Sequence, residues 1–282
     1  MKVTKVTGNI GAEISGVDLA TCEDAQIYAD IRAALNDHAV IFFRDQELSL
    51  ERYIAFGERF GELFRNNSPT IVAMDGHPQV EIIRKEPEEK SNIGDEWHTD
   101  QAHRPNPCMG TILYSREVPP YGGDTLFANT AAAYAHLPAY LRQQIEGLEA
   151  VQSSAFLIAQ TAERTGDPDG KFGRAKVNSD DCVHPVVRVH AETGRPVLYV
   201  NPAYTHRFVG WTREESIPLL EALYRHVLRP EYTCRFRWTK GAIAFWDNRQ
   251  TWHYAVNDYA GHRREMHRLI VKAPERAEAL AA

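Results

Sequence analysis

Cysteine is scarce in this 282-residue chain. The four residues, Cys22, Cys108, Cys182 and Cys234, are scattered and form no C-x-x-C pair. That spacing argues against a disulfide framework and against a cysteine-bound metal. Long apolar runs are missing too: no 18-residue apolar stretch occurs, so no membrane-spanning helix is expected. The opening "MKVTKVTGNIGAEISG" lacks the apolar centre of a signal peptide, and a reducing cytoplasm is the expected compartment. An excess of positive charge is also absent, with 32 Lys+Arg against 38 Asp+Glu and a net charge of −6. Nucleic acid is thereby excluded as the main partner, because a phosphate backbone demands a basic surface. A small anion in a locally positive pocket is not excluded.

What is present is an ordinary globular composition, 43% hydrophobic and 25% charged. No repeat, low-complexity block or linker divides it, and one domain over 1–282 is expected. "EDAQIYADIRAALNDH" (23–38) carries Ile27, Ile31 and Leu35 at helical spacing. "AVIFFR" (39–44) reads as a buried strand. "LSLERYIAFGERFG" (48–61) reads as a second helix, with Ser49 as N-cap and Gly61 as C-cap. From about residue 70 the texture changes to short β-rich runs between Pro and Gly turns. These are "QVEIIRK", "MGTILYSRE", "DTLFAN", "HPVVRVH", "PVLYVN", "YTCRFRW", "AIAFWDN" and "MHRLIVK". Helices are expected at 129–148, with Pro138 in the first turn of its second half, and at 213–228. Residues 160–183 are polar and Gly/Asp-rich without a period, and predict a long loop that could serve as a lid. The pattern predicts a mainly β fold with flanking helices (α+β), a sandwich or jelly roll.

Two stretches carry chemistry. In "DEWHTDQ" (95–101), His98 and Asp100 share one face if the segment is a strand. Alone, so short a motif is weak. In "AIAFWDNRQTWHYAVNDYAGHRREMHRLIV" (242–271), His253 supplies a second imidazole. Two histidines and a carboxylate suit non-haem Fe(II), leaving positions open for oxygen and a co-substrate. A zinc hydrolase or lyase could use the same ligands. The arginines favour the first reading. On a strand, Arg264, Met266, Arg268 and Ile270 share one face. Buried guanidinium groups are costly unless each meets an anion, and they grip carboxylates in a fork. The strand therefore suggests two adjacent anion sites, one for a co-substrate and one for a substrate.

The chain resembles the taurine dioxygenase family of Fe(II)/2-oxoglutarate-dependent dioxygenases. The resemblance rests on an ordered set: "GAEISGVDL" (11–19), "WHTD" (97–100), "GGDTLF" (122–127), "HPVVR" (184–188), "LYVN" (198–201), "WDNRQTWHYAVNDY" (246–259) and "RREMHR" (263–268). It implies a double-stranded β-helix, a cupin-like jelly roll. It implies that His98, Asp100 and His253 bind iron and that Thr125 and Arg264 bind 2-oxoglutarate. Arg268 then meets the anionic group of a small substrate. The implied reaction uses O2, releases succinate and CO2, and hydroxylates a sulfonate, sulfate ester, aryloxyalkanoate or other carboxylate. Asp100 favours hydroxylation, since halogenating relatives have a small residue there. Relatives often form dimers or tetramers.

The sequence departs from a taurine enzyme at the substrate end. Asn66 stands where a histidine is typical, and Gly94 where an asparagine is usual. Gln101 and His103 replace apolar residues. Gln101, His103, Asn66 and Tyr204 are the further substrate-binding candidates, with Phe156 a possible wall. His262 and His267 are expected to face away, Trp246 and Trp252 to pack, and "RKEPEEK" (84–90) to be a solvated loop. A non-catalytic jelly-roll binding protein is the remaining alternative; no metal ligand is lost to favour it.

Overall fold

The structure is a computed structural model and describes residues 1–65, 71–165 and 181–274. The strands up to the chain's middle are β1 (Lys2–Lys5), β2 (Ala12–Ser15), β3 (Val40–Phe43), β4 (Val72–Met74), β5 (His77–Lys85), β6 (Gly110–Glu117), β7 (Thr125–Asn129) and β8 (Glu149–Gln152). There follow β9 (Cys182–Pro185), β10 (Val187–Val189), β11 (Pro196–Leu198), β12 (Thr205–Phe208), β13 (Thr233–Phe236), β14 (Ile243–Asp247), β15 (Thr251–Ala255) and β16 (Arg264–Val271). The helices are α1 (Ala25–His38), α2 (Leu50–Glu58), α3 (Thr130–Ala135), α4 (Ala139–Ile145), α5 (Ser154–Thr165) and α6 (Arg213–Val227).

An eight-stranded sheet has the order β1-β2-β3-β14-β6-β16-β5-β4. Its pairs are antiparallel except β2 with β3. A smaller sheet, β13-β7-β15, covers one face. The period-two alternation of the strands builds this arrangement. In β3 and β14, Val40, Phe42, Ala244 and Trp246 point into the space between the sheets, where Phe127 and Phe236 meet them. Phe42 and Phe236 stack with centroids 4.1 Å apart. Ile41, Phe43, Ile243 and Phe245 point the other way, onto the apolar faces of α1 and α2. Full burial of side chains such as Ile31 and Leu35 of α1 contributes roughly 1.5–3 kcal/mol each. The outer side of the smaller sheet, with Ala128 and Trp252, is covered by α3, α4 and α6. The result is a jelly roll with helices on its outside, as the strand pattern predicts.

Local differences from the sequence reading have physical causes. Ser49 does cap α2, accepting from the Arg52 backbone N–H, but the C-cap is Arg59, and Gly61 lies two residues beyond. Pro138 is the N-cap of α4 rather than part of its first turn. The segment expected to be a long loop from 160 begins inside α5 and ends in β9; residues 166–180 lie outside the described residues. The four-residue strands β1, β2, β8 and β12 were not expected, being too short for a readable period.

Candidate active site

His98 is not in a strand. It forms a single antiparallel bridge with His253 of β15, whose N–H donates to the His98 carbonyl at 2.8 Å. That bridge brings the two imidazoles to 4.0 Å between centroids, although 155 residues separate them in sequence. Asp100 follows in a turn, with Oδ1 3.7 Å from His98 Nε2 and Oδ2 3.9 Å from His253 Nε2. One ligand atom from each of the three residues lies within 4.8 Å of the others. His98 Nδ1 sits 2.7 Å from the Glu96 carbonyl, which can only accept. Nδ1 therefore donates to it, which leaves Nε2 on the Asp100 side. Burial, with His98 alongside, holds the His253 imidazole well below the usual histidine range, so it is neutral as a ligand must be. Burial alone would raise the Asp100 carboxyl. The nearby His253, Arg268 and His98 and the Thr111 hydroxyl outweigh it and bring the group to about 2. Two imidazoles, that of His253 held neutral, beside an ionised carboxylate fit a divalent transition metal.

A polar brace fixes Asp100. Thr111 Oγ1 donates to Oδ2 at 2.7 Å, and Asn248 Nδ2 donates to Thr111 Oγ1 at 2.8 Å. Asn248 Oδ1 accepts from the Trp246 indole at 3.0 Å and from the Asp100 backbone N–H at 3.3 Å. Trp246 also lies 4.6 Å from the His253 ring, so its packing role extends to orienting that imidazole. Gln101 adopts φ +57, a left-handed conformation in which a side chain is strained, and turns the chain immediately after Asp100. Gly94 has φ +83, and a Cβ there would come 3.2 Å from His98 Cε1. The asparagine usual at this place in taurine enzymes would press on the ligand.

Arg264 at the start of β16 is 4% exposed. Among the described residues its Nε and Nη2 have no hydrogen-bond partner. Burial pulls its pKa down, opposed by Tyr259 and Asp124. A buried guanidinium with open donors fits a carboxylate ligand. Thr125 of β7 is buried as well, its Oγ1 accepting from the Trp238 indole at 3.0 Å. The Arg264 guanidinium lies 5.8 Å from the Trp238 ring centroid, so one tryptophan touches both.

A cavity of about 290 Å³ borders the cluster of His98, Asp100 and His253. His98, Asp100 and Arg268 line it, and Phe64, Ile93, Leu157, Ile158 and Ile270 give it apolar walls. Gln101, His103 and Tyr204 all line it; Thr125 and Arg264 do not. His103 and Tyr204 stack at 5.2 Å. Burial and the charge of Arg104 take His103 down to about 4, so near neutrality it offers hydrogen bonds rather than charge. Its Nδ1 has no partner among the described residues. Asn66 lies outside the described residues. Phe156 is not a wall; it packs on His206 and beneath the Arg213 guanidinium. His262 contacts Tyr121, and His267 lies near Glu265, on the strand face opposite Arg268.

Besides Thr111, three residues escaped the sequence reading. Glu81 of β5 is buried and pairs with Arg268, Nε to Oε2 at 2.5 Å. Burial opposes the Arg268 charge, but Glu81 and Asp100 prevail and hold its pKa above the usual arginine range. Arg104, over the Phe64 ring, also lines the cavity. Asn248 is the third; only its place within the "WDN" motif pointed towards it.

Residues 2–270 match the family model described as "Taurine catabolism dioxygenase TauD, TfdA family". The chain belongs to this family. It is a 2-oxoglutarate-dependent dioxygenase, an oxidoreductase that needs a metal ion, 2-oxoglutarate and oxygen. It is 36% identical over 275 residues to a protein named alkylsulfatase from Acinetobacter baylyi, covering 96% of this chain and 84% of the relative. It is 37% identical over 275 residues to an alpha-ketoglutarate-dependent sulfate ester dioxygenase from Pseudomonas putida, covering 96% and 89%. The crystal structure of a putative alpha-ketoglutarate-dependent taurine dioxygenase from Burkholderia xenovorans superposes with a TM-score of 0.82. It is 38% identical, with coverage of 97% of this chain and 93% of that one. Among the described residues no helix is long and apolar enough to cross a membrane.

Proposed function

We propose that the protein uses Fe(II) to hydroxylate a small organic anion, and that a sulfate ester of an apolar alcohol suits it best. The observation that carries this reading is the composition of the cavity: a guanidinium beside the metal ligands, then aliphatic and aromatic walls. Two relatives that act on sulfate groups by name, an alkylsulfatase and a sulfate ester dioxygenase, support it. Taurine is a poorer fit, being small and polar throughout.

His98, Asp100 and His253 would hold the iron, with Thr111 and Asn248 keeping the carboxylate in place. When bound, the metal supplies oxygen activation coupled to decarboxylation of 2-oxoglutarate. Arg264 and Thr125 would receive the distal carboxylate of 2-oxoglutarate. Arg268 would orient the sulfate, and the apolar walls would take the chain and exclude water. The balance is closed. R–CH2–OSO3⁻, 2-oxoglutarate and O2 give R–CH(OH)–OSO3⁻, succinate and CO2. The hydroxylated carbon then loses hydrogen sulfate, which carries off the hydroxyl proton, and an aldehyde remains.

The test is succinate formation with hexyl sulfate, compared with taurine and an aryloxy acid, under oxygen and under argon. Oxygen-dependent, hexyl sulfate-stimulated succinate supports the reading. Release of sulfate without oxygen would instead fit a zinc hydrolase on the same three ligands. No stimulation by any of the three compounds would sink it. One domain acting in a reducing cytoplasm is part of the proposal, in keeping with four free cysteines. Assembly as a dimer or tetramer is another part, checked by light scattering.

A further inference from the structure

The cavity that should receive an anion contains a buried carboxylate. Glu81 is 4% exposed, lines the cavity, and stands directly across the β5–β16 register from Arg268. Its Oε2 accepts from Arg268 Nε at 2.5 Å. Alone, that charge would repel an anionic substrate and would cost much to bury. Engaged with Arg268 it does the opposite of harm. A guanidinium has five N–H donors in one plane, and Glu81 takes the one nearest the stem. Glu81 leaves the two terminal nitrogens to other partners on the cavity that Arg268 lines.

The alternative partner for those nitrogens is close. Arg268 Nη1 lies 3.6 Å from Asp100 Oδ1. Without an anchor on Nε, the carboxylate that remains beside the guanidinium among the described residues is Asp100, the proposed metal ligand. The fork would then turn from the substrate towards Asp100.

Resting on the substrate reading above, we propose that Glu81 is a positioning residue for substrate recognition. It pins Arg268 by Nε, balances its buried charge before substrate arrives, and presents the Nη fork to the anionic head. Pre-organisation of this kind improves affinity by removing the ordering cost from the binding step. It should act on substrate alone, because Arg264, the residue proposed for the co-substrate, does not line the cavity that Glu81 and Arg268 share.

The experiment uses the full protein loaded anaerobically with Fe(II) and 2-oxoglutarate and titrated with hexyl sulfate. Binding is read from the change in the visible metal-to-ligand charge-transfer band. Glu81→Ala is expected to weaken hexyl sulfate by about 10-fold or more, leaving 2-oxoglutarate affinity within about 2-fold of wild type. Glu81→Gln keeps an oxygen that accepts from Nε and should recover most of the loss. Glu81→Asp, one methylene short, should weaken binding in the same direction, and it serves if the alanine variant does not fold. Unchanged hexyl sulfate affinity in Glu81→Ala, equal loss of both ligands, or a glutamine variant as poor as alanine would each overturn the inference. Failure of the wild type to bind hexyl sulfate, taurine or an aryloxy acid is a different outcome: it removes the substrate reading itself, and this role with it.

Discussion

At the scale of single residues, chemistry-bearing side chains were the most legible. The convergence of His98, Asp100 and His253, the burial of Arg264 and the place of Arg268 on the cavity could be anticipated, because few residue types bind metals or grip carboxylates. Glu81 could not, because a glutamate in "QVEIIRK" reads as the solvent face of a strand until its partner is seen. Arg264→Ala should remove the free donors that await a carboxylate. The expected loss is about 2 kcal/mol or more, roughly 30-fold in 2-oxoglutarate affinity. An anaerobic Fe(II) titration followed in the visible band measures it. Gly94→Ala tests the tight approach to His98. A left-handed alanine costs about 1–2 kcal/mol, and its methyl would crowd Cε1. A lower melting temperature together with weaker Fe(II) binding is expected; unaltered metal affinity would show that the imidazole moves aside freely.

At the scale of elements, long strands and long helices were readable and short ones were not. The strand β16 announced itself by eight residues with arginines on one face. The helix α5 did not, because the polar Gly/Asp-rich run after it masks its end. Yet Leu157, Ile158 and Thr161 of α5 form a cavity wall, so part of what shapes substrate choice was hidden. The bond network linking β6 to β14 was equally invisible, since it depends on Thr111 and Trp246 lying on adjacent strands in register. Asn248→Ala should leave the Trp246 indole and the Asp100 N–H without their acceptor. It should cost about 1–3 kcal/mol of stability and weaken Fe(II) binding roughly 10- to 100-fold. Calorimetric unfolding and metal titration read the two effects separately. Loss of stability alone would mean that Thr111 suffices to hold Asp100.

At the scale of the whole molecule, the jelly roll was legible from strand count and turn spacing, but its cross-chain ties were not. One such tie joins Asp247, His190, Arg249 and Glu192. The fully buried Asp247 accepts from His190 at 2.8 Å and from Arg249 Nη2 at 2.7 Å. Burial alone would raise the Asp247 carboxyl, and His190 and Arg249 bring it down to about 2. Glu192 is likewise held at about 2, its hydrogen bonds from Arg32 and Arg249 overcoming burial. Each carboxyl binds its proton less readily folded than unfolded, so both stabilise the fold above roughly pH 5 and cease to as pH falls towards about 2. Asp247→Asn should lower the melting temperature at pH 7 and flatten its fall between pH 5 and pH 2. An unchanged acid slope would assign that fall to other groups.

The placement of two guanidinium groups on β16 has a further consequence. Arg264 and Arg268 are four residues apart on one face, so about 13 Å of strand separates their backbones. If each arginine receives an anion as proposed, the strand works as a ruler between them. Inserting one residue between them would turn one arginine outward; inserting two would stretch the gap by about 7 Å. Adaptation to longer or shorter compounds must therefore proceed through the surrounding walls, where side chains can be exchanged one at a time, while this spacing stays as it is.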